Sequence, residues 1–225
     1  MVEFRYAVAM NFTKLLLVAA LSLPFTSFSQ TAPEVAPGLT IPSGSRPWAL
    51  DVYQDKKQLV PIHPSAVQMN SHKKSNIAGG LVAGPFFKAK FTTELEGAAS
   101  RVAIHTTTPV FYVYMSDNPD EAGTSMIAGW AIVHVAVDTD RRLLSTVKFT
   151  QFTGNAKRNA SQVEATLEKQ KDGWLRIAPA EPLAPGEYAL MPVMKQANAF
   201  STMVFDFHVD PAAPNDSDAI QQSKN

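Results

Sequence analysis

Residues 126–138 read M-I-A-G-W-A-I-V-H-V-A-V-D, an apolar run broken only by Gly129 and His134. Five of its residues are β-branched, and the stretch is too continuously apolar for a one-sided helix, so it predicts a strand buried on both faces. The charged D-T-D-R-R of 138–142 ends it, and Leu143–Phe152 returns beside it as a hairpin. The same pattern recurs on either side, in segments punctuated by Gly, Pro, Asn and Asp at intervals of about ten residues. Trp48–Tyr53 turns through Q-D-K-K into Leu59–Ile62, and Phe86–Phe91, Arg101–His105 and Val110–Met115 follow. Val163–Lys169 and Trp174–Ala178 flank a K-D-G turn, and Tyr188–Val193 with Phe200–Val209 forms a closing hairpin. Only two short segments, Pro119–Ser125 and Asn155–Glu164, offer themselves as helices. About ten strands with almost no helix predict an all-β sandwich or barrel.

The chain has 225 residues, 45% hydrophobic and 18% charged, which suits one globular domain with appendages. Lys+Arg and Asp+Glu are both 20, so the net charge of zero provides no overall drive toward nucleic acid or an anionic membrane. With no cysteine, the chain can build neither disulfides nor thiolate zinc, Fe–S or blue-copper sites, and has no cysteine nucleophile. Lys14 precedes the apolar run Leu15–Leu23, and Ser27 and Ser29 stand at the −3 and −1 positions that signal peptidase accepts. This predicts a secretory signal peptide over 1–29, with Met1 or Met10 as the start, and no transmembrane segment after its removal. Residues 30–47 read as a Pro/Gly-rich linker, 48–210 as the β-domain and 211–225 as a disordered tail. A disulfide-free exported chain of this kind is expected to be secreted or periplasmic in a bacterium.

Leu183-Ala-Pro-Gly-Glu-Tyr-Ala-Leu190 followed by Phe205-Asp-Phe-His-Val-Asp210 resembles the last two strands of immunoglobulin-like and fibronectin-type modules. In those families a Pro-Gly turn feeds a strand whose tyrosine hydroxyl bonds back to the chain upstream. Pro185, Gly186 and Tyr188 would fill these structural roles. Together with P-V-F-Y-V at 109–113 and D-T-D-R-R at 138–142, the set also looks like secreted bacterial β-domains of unassigned function, over about residues 100–210. The resemblance implies an immunoglobulin-like β-sandwich, with extra strands as a variant, and no activity.

Candidate sites are few. Asp206, His208 and Asp210 share one strand face at spacings of about 7 Å and would be metal ligands if a neighbouring strand supplied a fourth. A solvent-facing edge of a half-buried strand explains them as well. Met191, Met194 and Met203 are soft ligands suited to Cu(I), or else adaptable core packing. Trp48, Trp130 and Trp174 would give a stacking platform for sugar rings, or else pack in the core. The five histidines show no paired spacing, and His134 is expected to be buried against Trp130 and Ile132. Glu94 and Glu96 read as a solvated strand end, and Ser71-His-Lys-Lys74 as a basic polar loop. These readings predict a non-catalytic binding or structural module of the cell envelope, without cofactor, whose partner is an envelope protein or a glycan. Copper handling through Met and His, or carbohydrate binding, are the alternatives.

Overall fold

A computed structural model describes residues 33–83, 87–115, 127–150, 156–195 and 203–222. The signal peptide read at 1–29 and the helix expected over Pro119–Ser125 lie outside them. Among the described residues the chain is mostly β, with one short α-helix, as an all-β fold class predicts, and no helix is long and apolar enough to cross a membrane.

One sheet has six strands, in the order β14 (Ala165–Lys169), β15 (Trp174–Pro179), β8 (Val110–Tyr114), β3 (Trp48–Tyr53), β4 (Lys56–Pro61) and β18 (Ile220–Gln221). The β3–β4 hairpin turns on Gln54 and Asp55, both at positive φ (49° and 61°), the two-residue geometry that matches strand twist. The larger sheet runs β10 (Ala136–Asp138), β11 (Arg141–Thr150), β6 (Lys88–Glu96), β5 (Pro64–Asn70), β17 (Met203–Val209), β16 (Gly186–Met194), β9 (Ile127–His134) and β13 (Ser161–Val163). Off this path β12 (Ala156–Asn159) pairs with β11, and β7 (Ala103–Ile104) runs parallel to β17.

The main core lies between the sheets, where Ala49, Val60, Phe111 and Ile177 meet Ile132, Leu190, Phe205 and Phe207. A second core covers the opposite face of β9, β16 and β17, joining Ala131, Val133, Ala189, Met191 and Val204 to Leu95 of β6 and Leu144 of β11. On a flat sheet β11 and β16 would stand four strand spacings apart, about 19 Å. Arg142 of β11 instead lies 3.0 Å from Glu187 of β16. The large sheet therefore rolls, so that the middle of β9 (Trp130–Val133) and of β16 is buried on both faces. The rest of the 126–138 run departs from the expected single buried strand, since the strand breaks after His134 and β10, with Val137 53% exposed, pairs at the sheet edge with β11.

Both ends of the chain depart from the expected linker and tail. Within residues 30–47, Pro37-Gly38 (φ 69° at Gly38) is a tight turn between β1 (Glu34–Ala36) and β2 (Leu39–Thr40). Ala36, Leu39 and Ile41 of this hairpin pack on Trp48, Leu59, Tyr112 and Trp174, covering the outer face of the small sheet. At the other end, β18 pairs with Leu59 and Gln58 of β4, and Ala213 is buried. The 211–222 segment is held mostly by hydrogen bonds to an open strand edge, which a count of apolar residues does not register. Asn155–Glu164, expected as a helix, contributes β12 and β13 instead, having no apolar stripe to bury. The helix that does form, α1 (Lys73–Ala83), occupies the expected polar loop and joins β5 to β6.

Candidate functional site

A cleft of about 630 Å³ opens where β5 and β17 meet the β6–β7 connection and the C-terminal segment. His63, Arg101, Asp216 and Asp218 line its walls, and Ser65, Ser100, Arg142 and Asp206 its floor. Arg142 stands beside a register shift in β11, between Leu143 and Ser145, an irregularity of the kind that re-aims strand side chains. Its Nη1 donates to Glu187 Oε2 at 3.0 Å and to Asp206 Oδ2, while Nε and Nη2 donate to the carbonyls of Gly97 (3.1 Å) and Glu96 (3.2 Å). Ser65 Oγ donates to the other Asp206 oxygen. Ser100 gives its amide to Glu187 at 2.9 Å and its hydroxyl to the Asp206 carbonyl at 3.0 Å. One cation thus faces two buried carboxylates, and serine and backbone donors take up the excess negative charge.

A second closed network lies at the end of β3. Asp51 Oδ1 accepts the amides of His105 (2.9 Å) and Thr106 (2.8 Å). Its Oδ2 meets His105 Nδ1 at 2.7 Å and accepts Gln58 Nε2 at 3.0 Å. His105 Nε2 faces the Ala213 carbonyl at 3.2 Å, and Gln58 Nε2 also donates to Asn215 at 2.8 Å, fastening the C-terminal segment. Gln58 Oε1 is buried without a hydrogen-bond partner, and nothing in the structure explains it.

On the outer side, Glu94 accepts from Thr92, Asn70 and Arg141, with His72 Nε2 at 2.7 Å from Thr92 Oγ1. Burial would raise the Glu94 carboxyl, but those hydrogen bonds and the Arg141 charge outweigh it and hold the group below its ordinary value. Glu94 is buried while Glu96 is exposed, so the two are not the solvated pair expected.

The residues singled out from sequence are scattered. Asp206 is buried on Arg142 rather than facing solvent, because the rolled sheet covers that side of β17. His208 Nδ1 faces the Ser100 carbonyl at 3.2 Å, and Asp210 accepts the Ala212 amide in a turn. Met191 packs in the second core while Met203, 54% exposed, stands in the opposite strand phase beside Phe205 of the first; Met194 is half-buried at a register shift. Among the described residues no three His, Asp or Glu side chains stand close enough to hold a metal. Trp48, Trp130 and Trp174 are all buried in cores, leaving no stacking platform among them. His134 is exposed, edge-on to the Tyr188 ring at 5.2 Å, since it lies at the strand end beyond the covered Ile132. Tyr188 donates its hydroxyl to the Ala184 carbonyl at 2.9 Å across Pro185 and Gly186, and burial pushes its phenol up.

Arg142, Glu187 and Asp51 escaped the sequence reading. Asp51 is a charge inside the predicted Trp48–Tyr53 strand, whereas Arg142 was read with the charged turn of 138–142 and Glu187 with the Pro-Gly turn before Tyr188, where charges are ordinary. Comparison with known proteins adds no relative: no family model, curated protein or solved structure matches the chain.

Proposed function

We propose that the chain is an exported module of the bacterial cell envelope, built on an immunoglobulin-like sandwich with extra strands, that binds or braces another envelope component without catalysis. The observation that carries this reading is the closure of the charged clusters. All three Arg142 nitrogens, both Asp206 carboxylate oxygens and all the polar side-chain atoms of Asp51 and His105 are engaged with one another, with Glu187, Ser65 and Gln58, or with the backbone. A general acid, base or nucleophile needs reach to a substrate, and these groups are spent on joining strands. The Tyr188–Ala184 hydrogen bond and the core between two sheets support the immunoglobulin-like reading. The leader-like 1–29 supports export.

Expression in a Gram-negative host tests the reading directly. The chain recovered from periplasm or medium is expected to begin at Gln30, and retention of an unprocessed chain in the cytosol would overturn it. Calorimetric titration of the exported chain with Cu(I), Cu(II) and Zn(II) is expected to give no binding heat. Stoichiometric heat with Cu(I) would restore the metal reading, and a saturable hit on a glycan array would specify the partner as a sugar.

A further inference from the structure

Helix α1 is turned inside out. At about 100° per residue, Asn76, Gly79 and Ala83 share one side, and that side faces β6: Asn76 bonds Lys90, and the Phe87 ring lies where a Gly79 Cβ would be. The opposite side carries Ile77, Leu81 and Val82, which are 65%, 83% and 90% exposed. No residue of the helix is buried. Amphipathic helices normally direct their large apolar residues inward, and among the described residues nothing covers this face, which is therefore suited to meet an apolar phase outside them.

The charge around it identifies what. The neutral total conceals a segregation: residues 56–93 and 141–163 contain no Asp or Glu at all. Lys73 and Lys74 open the helix, and Lys88 and Lys90 are exposed on β6 beside it. The register sets Lys90 opposite Lys148, and Lys148 opposite Lys157, so three lysine positions run in a row across β6, β11 and β12. A second copy docked on this face would bring lysines against lysines, and nucleic acid would leave the aliphatic side chains without a role.

We infer that the face formed by α1 and the start of β6 is a docking face for an anionic lipid bilayer, with Ile77, Leu81 and Val82 entering the headgroup boundary and Lys73, Lys74, Lys88 and Lys90 meeting lipid phosphates. This rests on the envelope reading only for where such a bilayer is met.

The absence of cysteine allows one label at one site. The full chain with Leu81→Cys carries a polarity-sensitive dye, and Leu167→Cys, exposed on β14 of the other sheet, is the reference. With vesicles of phosphatidylcholine and phosphatidylglycerol, the dye at 81 is expected to shift to the blue and the dye at 167 to stay unchanged. Phosphatidylcholine alone should give no shift, and adding Lys73→Glu and Lys74→Glu should weaken partitioning by about tenfold or more. No shift at 81, an equal shift at both sites, a shift on neutral vesicles, or retention of binding in the lysine variants overturns the inference. So does a shift without lipid that grows with protein concentration, which would assign the face to self-association. A silent dye on a correctly exported chain removes the docking face alone, whereas a responding dye on an unprocessed cytosolic chain removes the envelope reading alone.

Discussion

Thr139 carries a β-branched side chain at φ 53°, in the turn between β10 and β11. That region crowds any Cβ and a branched one most, so Thr139→Gly relieves more strain than it adds chain entropy. The variant is expected to be more stable by about 1 kcal/mol in urea unfolding, and a loss of stability would show that the turn is not strained. Glu94 offers a test by pH. Its folded carboxyl lies below its ordinary value, so the stability it supplies is complete above the ordinary glutamate range near 4.3 and drains away as pH falls through the folded value. The melting-temperature gap between the native chain and Glu94→Gln should therefore be largest near neutral pH and close on acidification. A gap that widened in acid would contradict the network of Thr92, Asn70 and Arg141.

At the scale of elements, Asn76 replaces a missing strand. β5 ends at Asn70 opposite Thr92, leaving Lys90 of β6 with no strand partner on that side. The Asn76 amide supplies both halves of a ladder pair, accepting the Lys90 N–H at 3.0 Å and donating to its carbonyl at 2.8 Å. Asn76→Ala should accelerate hydrogen exchange at the Lys90 amide, while Asn76→Asp, which keeps the acceptor, should protect it. Equal exchange in both variants would deny Asn76 this role. The same residue explains why α1 was illegible: side-chain hydrogen bonds hold the helix, and its apolar residues trace no inward stripe. Strands were readable where large apolar residues marked a covered face, as Trp48 and Leu50 do in β3, or where both faces were covered, as over Trp130–Val133 of β9. β5, P-S-A-V-Q-M-N, mixes polar and apolar residues on both faces and shows no such signal. The charged cluster was hidden for another reason. Arg142, Glu187 and Asp206 come from three separate strands, and only the roll of the sheet brings them together.

For the molecule as a whole, that roll has a testable dependence on Arg142. Arg142→Met leaves Glu187 and Asp206 buried together without their cation and should cost about 3–5 kcal/mol. Adding Glu187→Gln and Asp206→Asn should return a large part of it, because the uncompensated charge goes with them. If the triple variant is no better than the single one, the arginine acts through packing alone. The C-terminal segment closes the small sheet in a comparable way. Ala213 and Asn215 meet His105 and Gln58, β18 extends the β4 edge, and Gln222 gives its amide to Lys57 and its side chain to the Pro37 carbonyl of the β1–β2 hairpin. This segment therefore ties both the sheet edge and the N-terminal hairpin that shields Trp48 and Trp174. Deleting 211–225 should cost on the order of 3 kcal/mol, from several hydrogen bonds worth about 1 kcal/mol each, and should red-shift tryptophan emission as the hairpin loosens. Gln222→Ala, which cuts only the tie to Pro37, should give part of the red shift with little loss of stability. A truncated chain with unchanged emission and melting temperature would mean that the segment is the passive tail its polar composition suggests.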